Sequence, residues 1–307
     1  MGMKKAIVTG PTGAIGIALI QELLEQGVKV TAVCHRDSER ISRIPESDMV
    51  QIEECNLDEL YSLTETLDHD YDIFYHFAWA CTVGESRNNI EAQVANLQYT
   101  IDAVEVAALL GCKKFIGAGS QAEYGRYEGK LNADVPAFPE NGYGMAKLCA
   151  GQMSRIRCRQ LGIQHIWTRV LSVYGPYDGE NTMVISMIRR MLQGERPICT
   201  KGEQIWDYIY SRDAAKAFYL LGESGQDGKV YCIGSGQGIP LKEYISTIRK
   251  QIDESLEIGF GEVPYSDKQV MYLCADIREL QKDTGFGPEY SFEEGIRETI
   301  EWCRKDS

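Results

Sequence analysis

The sequence predicts an α/β protein built on a doubly wound parallel sheet, with a smaller C-terminal α/β lid. Three observations support this prediction. In the first half of the 307 residues, short β-rich runs alternate with helical stretches, which is the pattern of parallel βαβ units. A glycine-rich turn joins the first apolar run to the first helical pattern. The connections between these segments are short, as they are in doubly wound sheets.

The individual elements follow from hydrophobic periodicity and from the glycines that end helices. The predicted strands of the first half are Lys4–Thr9, Val28–Cys34, Val50–Cys55, Ile73–Phe77, Lys114–Ala118 and His165–Val170. The predicted helices are Ala14–Gln26, Ile90–Leu110 and Tyr143–Leu161. Gly27 and Gly111 follow the first two helices directly, where a residue without a side chain commonly ends a helix.

After Tyr174-Gly175-Pro176 the pattern changes to helices separated by isolated strands. The predicted helices of this part are Asn181–Gln193, Asp213–Leu221, Leu241–Ile252 and Phe292–Cys303. No separate run of alternating strands, no Pro/Ser-rich linker and no repeat occurs here. We therefore expect a small lid that interleaves with the first domain.

Composition excludes several classes of protein. The net charge of −13 argues against a general nucleic-acid binder, which needs a basic stripe. Ten scattered cysteines form no CxxC pair and no Cys/His cluster at zinc spacing, so we expect no metal site and reduced thiols in the cytoplasm. No apolar run reaches the ~18 residues of a membrane span, and the N-terminal residues begin a strand instead of a signal peptide.

The run from Thr9 to Gly16, TGPTGAIG, follows the apolar strand residues Ala6-Ile7-Val8 and opens a helix. Its glycines permit a tight turn and let the backbone approach a pyrophosphate, whose charge meets the helix N-terminus. Such glycines alone could belong to an ordinary strand–helix turn. Their position directly after a buried strand favours a dinucleotide phosphate site.

The end of the second strand predicts the cofactor's form. An acidic residue there would bind the free 2′-hydroxyl of NAD, but the chain has Cys34, His35 and Arg36. Arg36 could pair with a 2′-phosphate, so the sequence slightly favours NADP(H) over NAD(H). The alternative is that Arg36 is a solvated residue on a surface turn.

Tyr143 and Lys147 lie four residues apart on a predicted helix, so their side chains share one face. A free tyrosine has a pKa near ~10 and is a poor acid or base at pH 7. A nearby ammonium favours the phenolate and lowers that pKa. With Ser120 earlier in the chain, the pair predicts proton transfer to or from a hydroxyl beside a nicotinamide.

Taken together, these segments resemble the extended short-chain dehydrogenase/reductases, specifically the nucleotide-sugar epimerase/dehydratase group, over essentially the whole chain. The matching stretches are Thr9–Gly16, His76–Trp79, Asn96–Thr100, Gly119–Gly125, Tyr143–Lys147, Val173–Pro176, Asp207–Asp213 and Leu280–Trp302. The resemblance implies a Rossmann-like NAD(P)-binding domain over residues 1–175, with 205–235 partly interleaved. It also implies that residues 176–307 mainly bind substrate.

The resemblance implies a role for each matching residue. Tyr143 is the acid/base, Lys147 lowers its pKa and holds the nicotinamide ribose, and Ser120 hydrogen-bonds the reacting sugar oxygen; the alternative for Ser120 is a turn cap. Asn56 matches an adenine contact, and Asn96 matches an asparagine that supports the catalytic lysine. The implied cofactor-binding residues are Gly10, Thr12, Gly13, Ala14, Ile15, Gly16, His35, Arg36, Asn56, Leu57, Phe77, Ala78, Trp79, Asn96, Tyr143 and Lys147.

The departures from the group's pattern concern the substrate. Gln121 and Ala122 replace the Asp-Glu or Ser-Glu pair that dehydratases of this group carry. Glu123 replaces an aliphatic residue and is either a salt-bridged surface acid or a substrate contact. Ser172 replaces a substrate-contacting asparagine, and Trp206, which could stack on a base or sugar, replaces an arginine. Lys268 and Arg278 are possible replacements for that arginine, or solvated. The candidate substrate-binding residues are therefore Trp79, Gln121, Glu123, Ser172, Trp206 and Lys268.

The function that this resemblance implies is NAD(P)-dependent hydride transfer at C4 of a nucleotide-activated sugar, as a 4-keto sugar reductase or a 4-epimerase. The alternative is a regulatory or scaffold protein that binds NAD(P) without turnover. The expected partner besides the sugar nucleotide is a second copy of the chain, because the group commonly dimerises through its two long helices. Nucleic acid and membrane are not expected partners.

Overall fold

The computed structural model describes residues 2–306 of the chain. Its strands are β1 (Lys5–Thr9), β2 (Lys29–Cys34), β3 (Val50–Glu54), β4 (Ile73–His76), β5 (Lys114–Ser120), β6 (Gln164–Val170), β7 (Ser172–Tyr174), β8 (Ile198–Cys199), β9 (Ile205–Trp206), β10 (Tyr208–Tyr210), β11 (Val230–Ile233), β12 (Ile239–Pro240) and β13 (Gly259–Phe260). Its α-helices are α1 (Ala14–Glu25), α2 (Leu63–Thr66), α3 (Ile90–Leu109), α4 (Gly142–Leu161), α5 (Met183–Leu192), α6 (Ser211–Ser224), α7 (Leu241–Ile252), α8 (Arg278–Thr284) and α9 (Phe292–Lys305).

Seven parallel strands form the large sheet in the order β11-β6-β5-β4-β1-β2-β3. The strand order reverses between β1 and β4, which is the switch point where ligands bind in open α/β sheets. The predicted doubly wound α/β fold is therefore confirmed.

Alternate residues of the central strands supply two separate layers of core. Ala6 and Val8 of β1 pack with residues of α1 and α6 on one face, and Ile7 packs with residues of α3 and α4 on the other. Helix α1 lies against α6, and α3 lies against α4. Because helices cover both faces, β1 reads as a continuous apolar run instead of an alternating one.

The C-terminal part has its own apolar cluster, formed mainly by α5, α7 and α9 with the strands β7 and β10. Its remaining strands form two-stranded pairs, β7 with β10, β9 with β12 and β8 with β13. Strand β11 instead joins the large sheet beside β6. The chain thus returns to the first sheet after it has entered the lid, while the division at residue 175 stays a prediction.

The structure differs from the predicted elements mainly at their ends. Strand β5 continues beyond Ala118, because Gly119 and Ser120 pair with Arg169 and Val170 of β6. Sheet pairing therefore outweighs the low strand propensity of glycine and serine. The short helices α2 and α8 carry no periodic pattern long enough to predict them.

Seven of the ten cysteines are buried. Among residues 2–306, no helix combines the length and the apolar character needed to cross a bilayer.

Candidate functional site

The glycine-rich turn between β1 and α1 is shaped to receive a charged group. Gly10 has a φ of +68°, and a Cβ there would lie 2.7 Å from the backbone nitrogen of Ala78. A Cβ at Gly16 would overlap the carbonyl oxygen of Gly10. Side chains are therefore excluded at both positions, and β1, α1 and the loop after β4 pack closely.

The N-terminus of α1 lies open beside this turn. Gly13 is the N-cap and supplies no side-chain hydrogen bond, and the first turn contains no acidic residue. No atom lies within 4 Å of a Cβ built at Gly13, and Thr12, Ala14 and Ile15 are partly exposed. The backbone N–H groups and the helix dipole favour an anion here, so these residues fit the pyrophosphate of a dinucleotide.

The second predicted contact region lies at the end of β2. The Asn56 side chain accepts a hydrogen bond from the Arg36 backbone nitrogen at 3.1 Å, so the structure brings these two residues together. Leu57, partly buried, opens the turn that follows, and His35 is exposed. The Arg36 side chain donates from Nε to Glu59 at 2.9 Å, an ion pair that sequence patterns do not single out.

Three predicted catalytic residues meet where β5 ends beside α4. Asn141 caps α4 by accepting a hydrogen bond from Gly144 N at 2.9 Å. The Ser120 hydroxyl accepts a hydrogen bond from Ala122 N at 3.2 Å and lies beside the Tyr143 phenol, whose pKa it lowers. The Lys147 ammonium, on a side chain only 4% exposed, donates to the Ala118 carbonyl at 2.6 Å. The C-terminal end of β5 thus positions both the Ser120 hydroxyl and the Lys147 ammonium.

Burial dominates the electrostatics of this corner. It raises the pKa of Tyr143, against the Ser120 hydroxyl and the charge of Arg87, which lower it. It also lowers the pKa of Lys147 to about 7, against the charge of Glu123. The spacing to Lys147 predicted a lowered pKa for Tyr143, and this prediction is opposite to the raised pKa in the structure. The reason is that desolvation outweighs the neighbouring charges.

Trp79 lies against the predicted catalytic lysine, Lys147. Its ring centroid is 3.7 Å from Lys147 Nζ, and its edge faces the Tyr143 ring at 6.2 Å between centroids. The indole N–H donates to Gln93 at 2.9 Å, which fixes the orientation of the ring. Trp79 therefore belongs to the catalytic corner, and any group that reaches Lys147 must share space with this indole.

Asn96 supports the loop after β4. Its side chain accepts from Ala80 N at 2.9 Å and donates to Ala80 O at 3.0 Å. The Asn96 amide thus matches both polar groups of one peptide, and its predicted support of Lys147 stays a prediction.

The same loop is tied to β1. Thr9 Oγ1 lies 3.2 and 3.3 Å from the backbone nitrogens of Phe77 and Ala78 and 3.0 Å from the His76 ring. Burial lowers the pKa of His76 to about 3, so His76 is a neutral, hydrogen-bonded core residue.

The expectation that Glu123 is a surface acid is wrong. Its side chain is fully buried and accepts hydrogen bonds from Ser120 N at 2.9 Å, Trp167 Nε1 at 3.0 Å and Arg169 Nε at 2.7 Å. Burial raises the pKa of Glu123, and Arg169 lowers it. Three donors stabilise the carboxylate, so Glu123 holds the Ser120 turn and is not placed to contact substrate.

The other substrate candidates differ in their exposure and in their partners. Trp206 Nε1 donates to Ser172 Oγ at 2.8 Å, so these two replacements bind each other. Gln121 is partly exposed next to Ser120, and Lys268 is exposed. Arg278 is engaged with Asp276 at 2.6 Å.

Arg87 is a further residue of the catalytic corner that sequence patterns do not single out. Its guanidinium carbon lies 4.6 Å from the centroid of the Tyr143 ring. The residue belongs to the turn between β4 and α3, at the carboxyl edge of the sheet, and this position is the only sequence signal for it. Elsewhere in residues 2–306, no group of three or more His, Cys, Asp or Glu side chains is placed to hold a metal ion.

Comparisons with known proteins agree with this geometry. The model of the NAD dependent epimerase/dehydratase family matches residues 6–234. The chain is 26% identical to dTDP-4-dehydro-6-deoxyglucose reductase of Escherichia coli over 97% of each protein. It is 25% identical to dTDP-glucose 4,6-dehydratase of Shigella flexneri, covering 97% of this chain and 92% of the relative.

Solved structures extend the likeness to the fold. UDP-N-acetylglucosamine 4-epimerase from Methanobrevibacter ruminantium M1, in complex with UDP-N-acetylmuramic acid, matches with a TM-score of 0.90 over the full length of both chains. At 24% identity this likeness concerns the fold alone.

Proposed function

This chain belongs to the NAD dependent epimerase/dehydratase family, and we propose that it transfers hydride between NAD(P) and C4 of a nucleotide-activated sugar. The reaction that we favour is net reduction of a 4-keto sugar. The observation that carries the proposal is the meeting of Ser120, Tyr143 and Lys147 at the end of β5. A protein that only binds the cofactor needs no such group.

The chain's own residues supply the proton and the orientation. When bound, NAD(P) supplies or accepts the hydride. Tyr143 donates its phenolic proton to the sugar O4, and Ser120, whose hydroxyl lies beside the phenol, binds the same oxygen. The buried Lys147 binds the ribose hydroxyls of the cofactor. Gly10, Gly13 and the N-terminus of α1 receive the pyrophosphate.

The segment after Ser120 argues against a dehydratase. Removal of water requires an acid/base pair near the sugar, and Gln121 and Ala122 cannot transfer protons. The only carboxylate of this turn, Glu123, is bound by Arg169, Trp167 and the Ser120 backbone. We therefore propose a C4 reaction without dehydration.

The direct test is incubation of the purified protein with a 4-keto-6-deoxy sugar nucleotide and NADPH or NADH. Consumption of one reduced cofactor per sugar supports reduction, and Tyr143→Phe is the matched inactive control. Conversion of a plain UDP-hexose without net cofactor change would replace reduction with 4-epimerisation.

A specific observation keeps 4-epimerisation as the second candidate. An epimerase oxidises and re-reduces the same sugar, so it retains one NAD tightly. The Arg36–Glu59 pair supports NAD, because Glu59 competes with a 2′-phosphate for the guanidinium. Arg36 itself still supports NADP. We therefore propose that both cofactors are accepted, with the ratio of their dissociation constants as the measurement.

A second observation favours binding without turnover. The Trp79 ring covers the Lys147 ammonium at 3.7 Å and must move or stack on the cofactor before the lysine binds ribose. Cofactor titration by tryptophan fluorescence tests this, with Trp79→Phe as the variant and Trp302→Phe as the matched control. Tight binding of NAD(P) with no turnover of any sugar nucleotide would establish the regulatory or scaffold alternative.

We propose a homodimer formed through α3 and α4. Their outer faces expose Ile90, Val94, Met145, Met153 and Ile156, and two copies could bury these side chains together. Light scattering after size exclusion measures the mass, with Ile156→Glu expected to give monomer and Ile198→Glu, at another exposed apolar position, as control. The burial of seven of the ten cysteines supports a reducing compartment such as the cytoplasm.

A further inference from the structure

A second cation faces the phenol of Tyr143. The guanidinium carbon of Arg87 lies 4.6 Å from the ring centroid, whereas Lys147 Nζ lies 5.9 Å away. Arg87 Nε is buried and has no hydrogen-bond partner among residues 2–306. The polar capacity of the guanidinium is thus incompletely used, which is unusual for a buried nitrogen.

The backbone of this turn is fastened to the helix that carries Tyr143. Asn88 Oδ1 accepts a hydrogen bond from Gly142 N at 3.0 Å. A Cβ at Gly142 would lie 3.1 Å from the Arg87 carbonyl oxygen, so the two segments are in close contact. Asn89 caps α3 by accepting from Ala92 N. The position of Arg87 over the ring is therefore set by several contacts on both sides of the residue.

Lys147 and Arg87 differ in how completely they are protonated. Lys147 is buried, donates to Ala118 O and lies against Trp79, and its lowered pKa leaves part of its population neutral near pH 7. An arginine guanidinium, by contrast, is always charged in proteins. Arg87 is thus the permanent positive charge at this phenol.

We propose that Arg87 is an electrostatic positioning residue that stabilises the Tyr143 phenolate during proton transfer. This inference rests on the proposed function. In the reductive direction the Tyr143 O–H bond breaks, its proton passes to the sugar oxygen, and the bonding electron pair remains on the phenolate. The hydride that completes the new C–H bond comes from NAD(P)H. A cation over the ring is attracted more strongly to the phenolate than to the neutral phenol.

The charged and hydroxyl groups that face Tyr143, Arg87 included, come from four parts of the chain. Ser120 and Glu123 lie at the end of β5 and in the turn that follows, Arg87 lies in the turn before α3, and Lys147 lies on α4 itself. Glu123 opposes phenolate formation, although its charge is shared with Arg169. Removal of Arg87 therefore removes the permanent cation over the Tyr143 ring, while the opposing effect of Glu123 on the phenolate remains.

Titration of the phenol tests this without any substrate. Tyrosinate absorbance is recorded against pH for the full chain, and subtraction of the Tyr143→Phe curve isolates Tyr143 from the other 16 of the 17 tyrosines. The same subtraction is made in the Arg87→Met, Arg87→Gln and Arg87→Lys backgrounds, over the pH range in which circular dichroism shows the native fold. Arg304→Met, an exposed arginine on α9, is the matched control.

We expect less Tyr143 tyrosinate in Arg87→Met and Arg87→Gln at every pH, equivalent to a midpoint about half a pH unit or more higher. Arg87→Lys should lie between these variants and the natural chain, and Arg304→Met should coincide with the natural chain. Identical Tyr143 titration with and without the guanidinium would overturn the proposal. Because no turnover is measured, loss of the proposed sugar reaction leaves this result standing.

Discussion

Two arginine–glutamate pairs flank the candidate site, and they differ in their access to water. Arg169 Nε lies 2.7 Å from Glu123, with side chains 5% and 0% exposed. Arg36 Nε lies 2.9 Å from Glu59, with side chains 50% and 45% exposed. The two nitrogen–oxygen distances are nearly identical, so the pairs differ in burial and not in distance. The buried pair is fixed, whereas the exposed pair is open to exchange with a ligand.

The consequence follows from solvation. A charge left alone in the interior loses both its partner and its water, so one half of a buried pair cannot be removed without a large cost. At the surface, water and salt replace either partner readily. The buried pair therefore suits the catalytic end, where Glu123 also binds Ser120 N. The exposed pair suits the proposed adenosine end, where we propose that an incoming 2′-phosphate takes the place of Glu59.

The largest expected effect breaks the buried pair. Arg169→Met removes the guanidinium and leaves Glu123 charged in the core, which should cost about 3–5 kcal/mol of the free energy of unfolding. Urea denaturation measures it, with the exposed Arg304→Met as control. The double variant Glu123→Gln/Arg169→Met should recover part of the loss. A cost below about 1 kcal/mol would mean that the buried Arg169–Glu123 pair contributes no more to stability than an exposed ion pair does.

The second effect concerns the phenol that the buried pair supports. Tyr143→Phe keeps the ring packed against Trp79 and Arg87 and should keep cofactor binding. It removes the transferable proton, so kcat should fall by ~10²-fold or more. Turnover by the variant close to that of the natural chain would rule out Tyr143 as the acid/base. Tyr61→Phe, on the surface beside Glu105, is the matched control.

The third effect is a pH dependence of stability that only a buried cation produces. Lys147 has a pKa of about 7 when folded and about 10.4 when unfolded. Between these values the unfolded state binds more protons, so the free energy of unfolding rises with pH, by up to about 1.4 kcal/mol per pH unit. Below about pH 7 both states are protonated, and the contribution is flat.

Urea unfolding at several pH values checks this in the natural chain and in Lys147→Met. The natural chain should gain more stability between neutral and alkaline pH than the variant does, because other titrating groups cancel in the comparison. The exposed Lys250→Met should behave like the natural chain. Equal pH slopes for the natural chain and Lys147→Met would mean that water reaches the ammonium.

The sequence predicts the sheet and the glycine turn well because both are local patterns. Periodicity identifies β1 from a few adjacent residues, and the glycines at positions 10 and 16 are required by close backbone packing. The spacing of Tyr143 and Lys147 likewise follows from one helix. Such features need no knowledge of which strand lies beside which.

The two ion pairs could not be predicted, because their partners are distant in sequence. Arg169 is 46 residues from Glu123 and meets it only through the pairing of β5 with β6. Arg36 is 23 residues from Glu59. The contact of Arg87 with Tyr143 likewise depends on how the turn before α3 packs on α4. Register and packing, not local pattern, decide these contacts.

The smallest expected effect sharpens the comparison at the exposed pair. Glu59→Gln removes the competitor of a 2′-phosphate while Asn56 still binds the Arg36 backbone. NADPH affinity should rise by at most about fivefold, the range of an exposed ion pair, and NADH affinity should stay constant. Arg36→Ala should weaken NADPH binding about three- to tenfold and leave NADH binding unaffected.

Fluorescence titration with each cofactor gives the dissociation constants. The gain in NADPH affinity of Glu59→Gln should shrink with added salt, because the site is open to ions. Equal losses of both cofactors in Arg36→Ala would show that Arg36 serves only the surface turn. A gain in NADPH affinity that salt does not reduce would show that the Arg36–Glu59 pair is shielded from ions, as the Arg169–Glu123 pair is. Exposure to water would then not explain the difference between the two pairs.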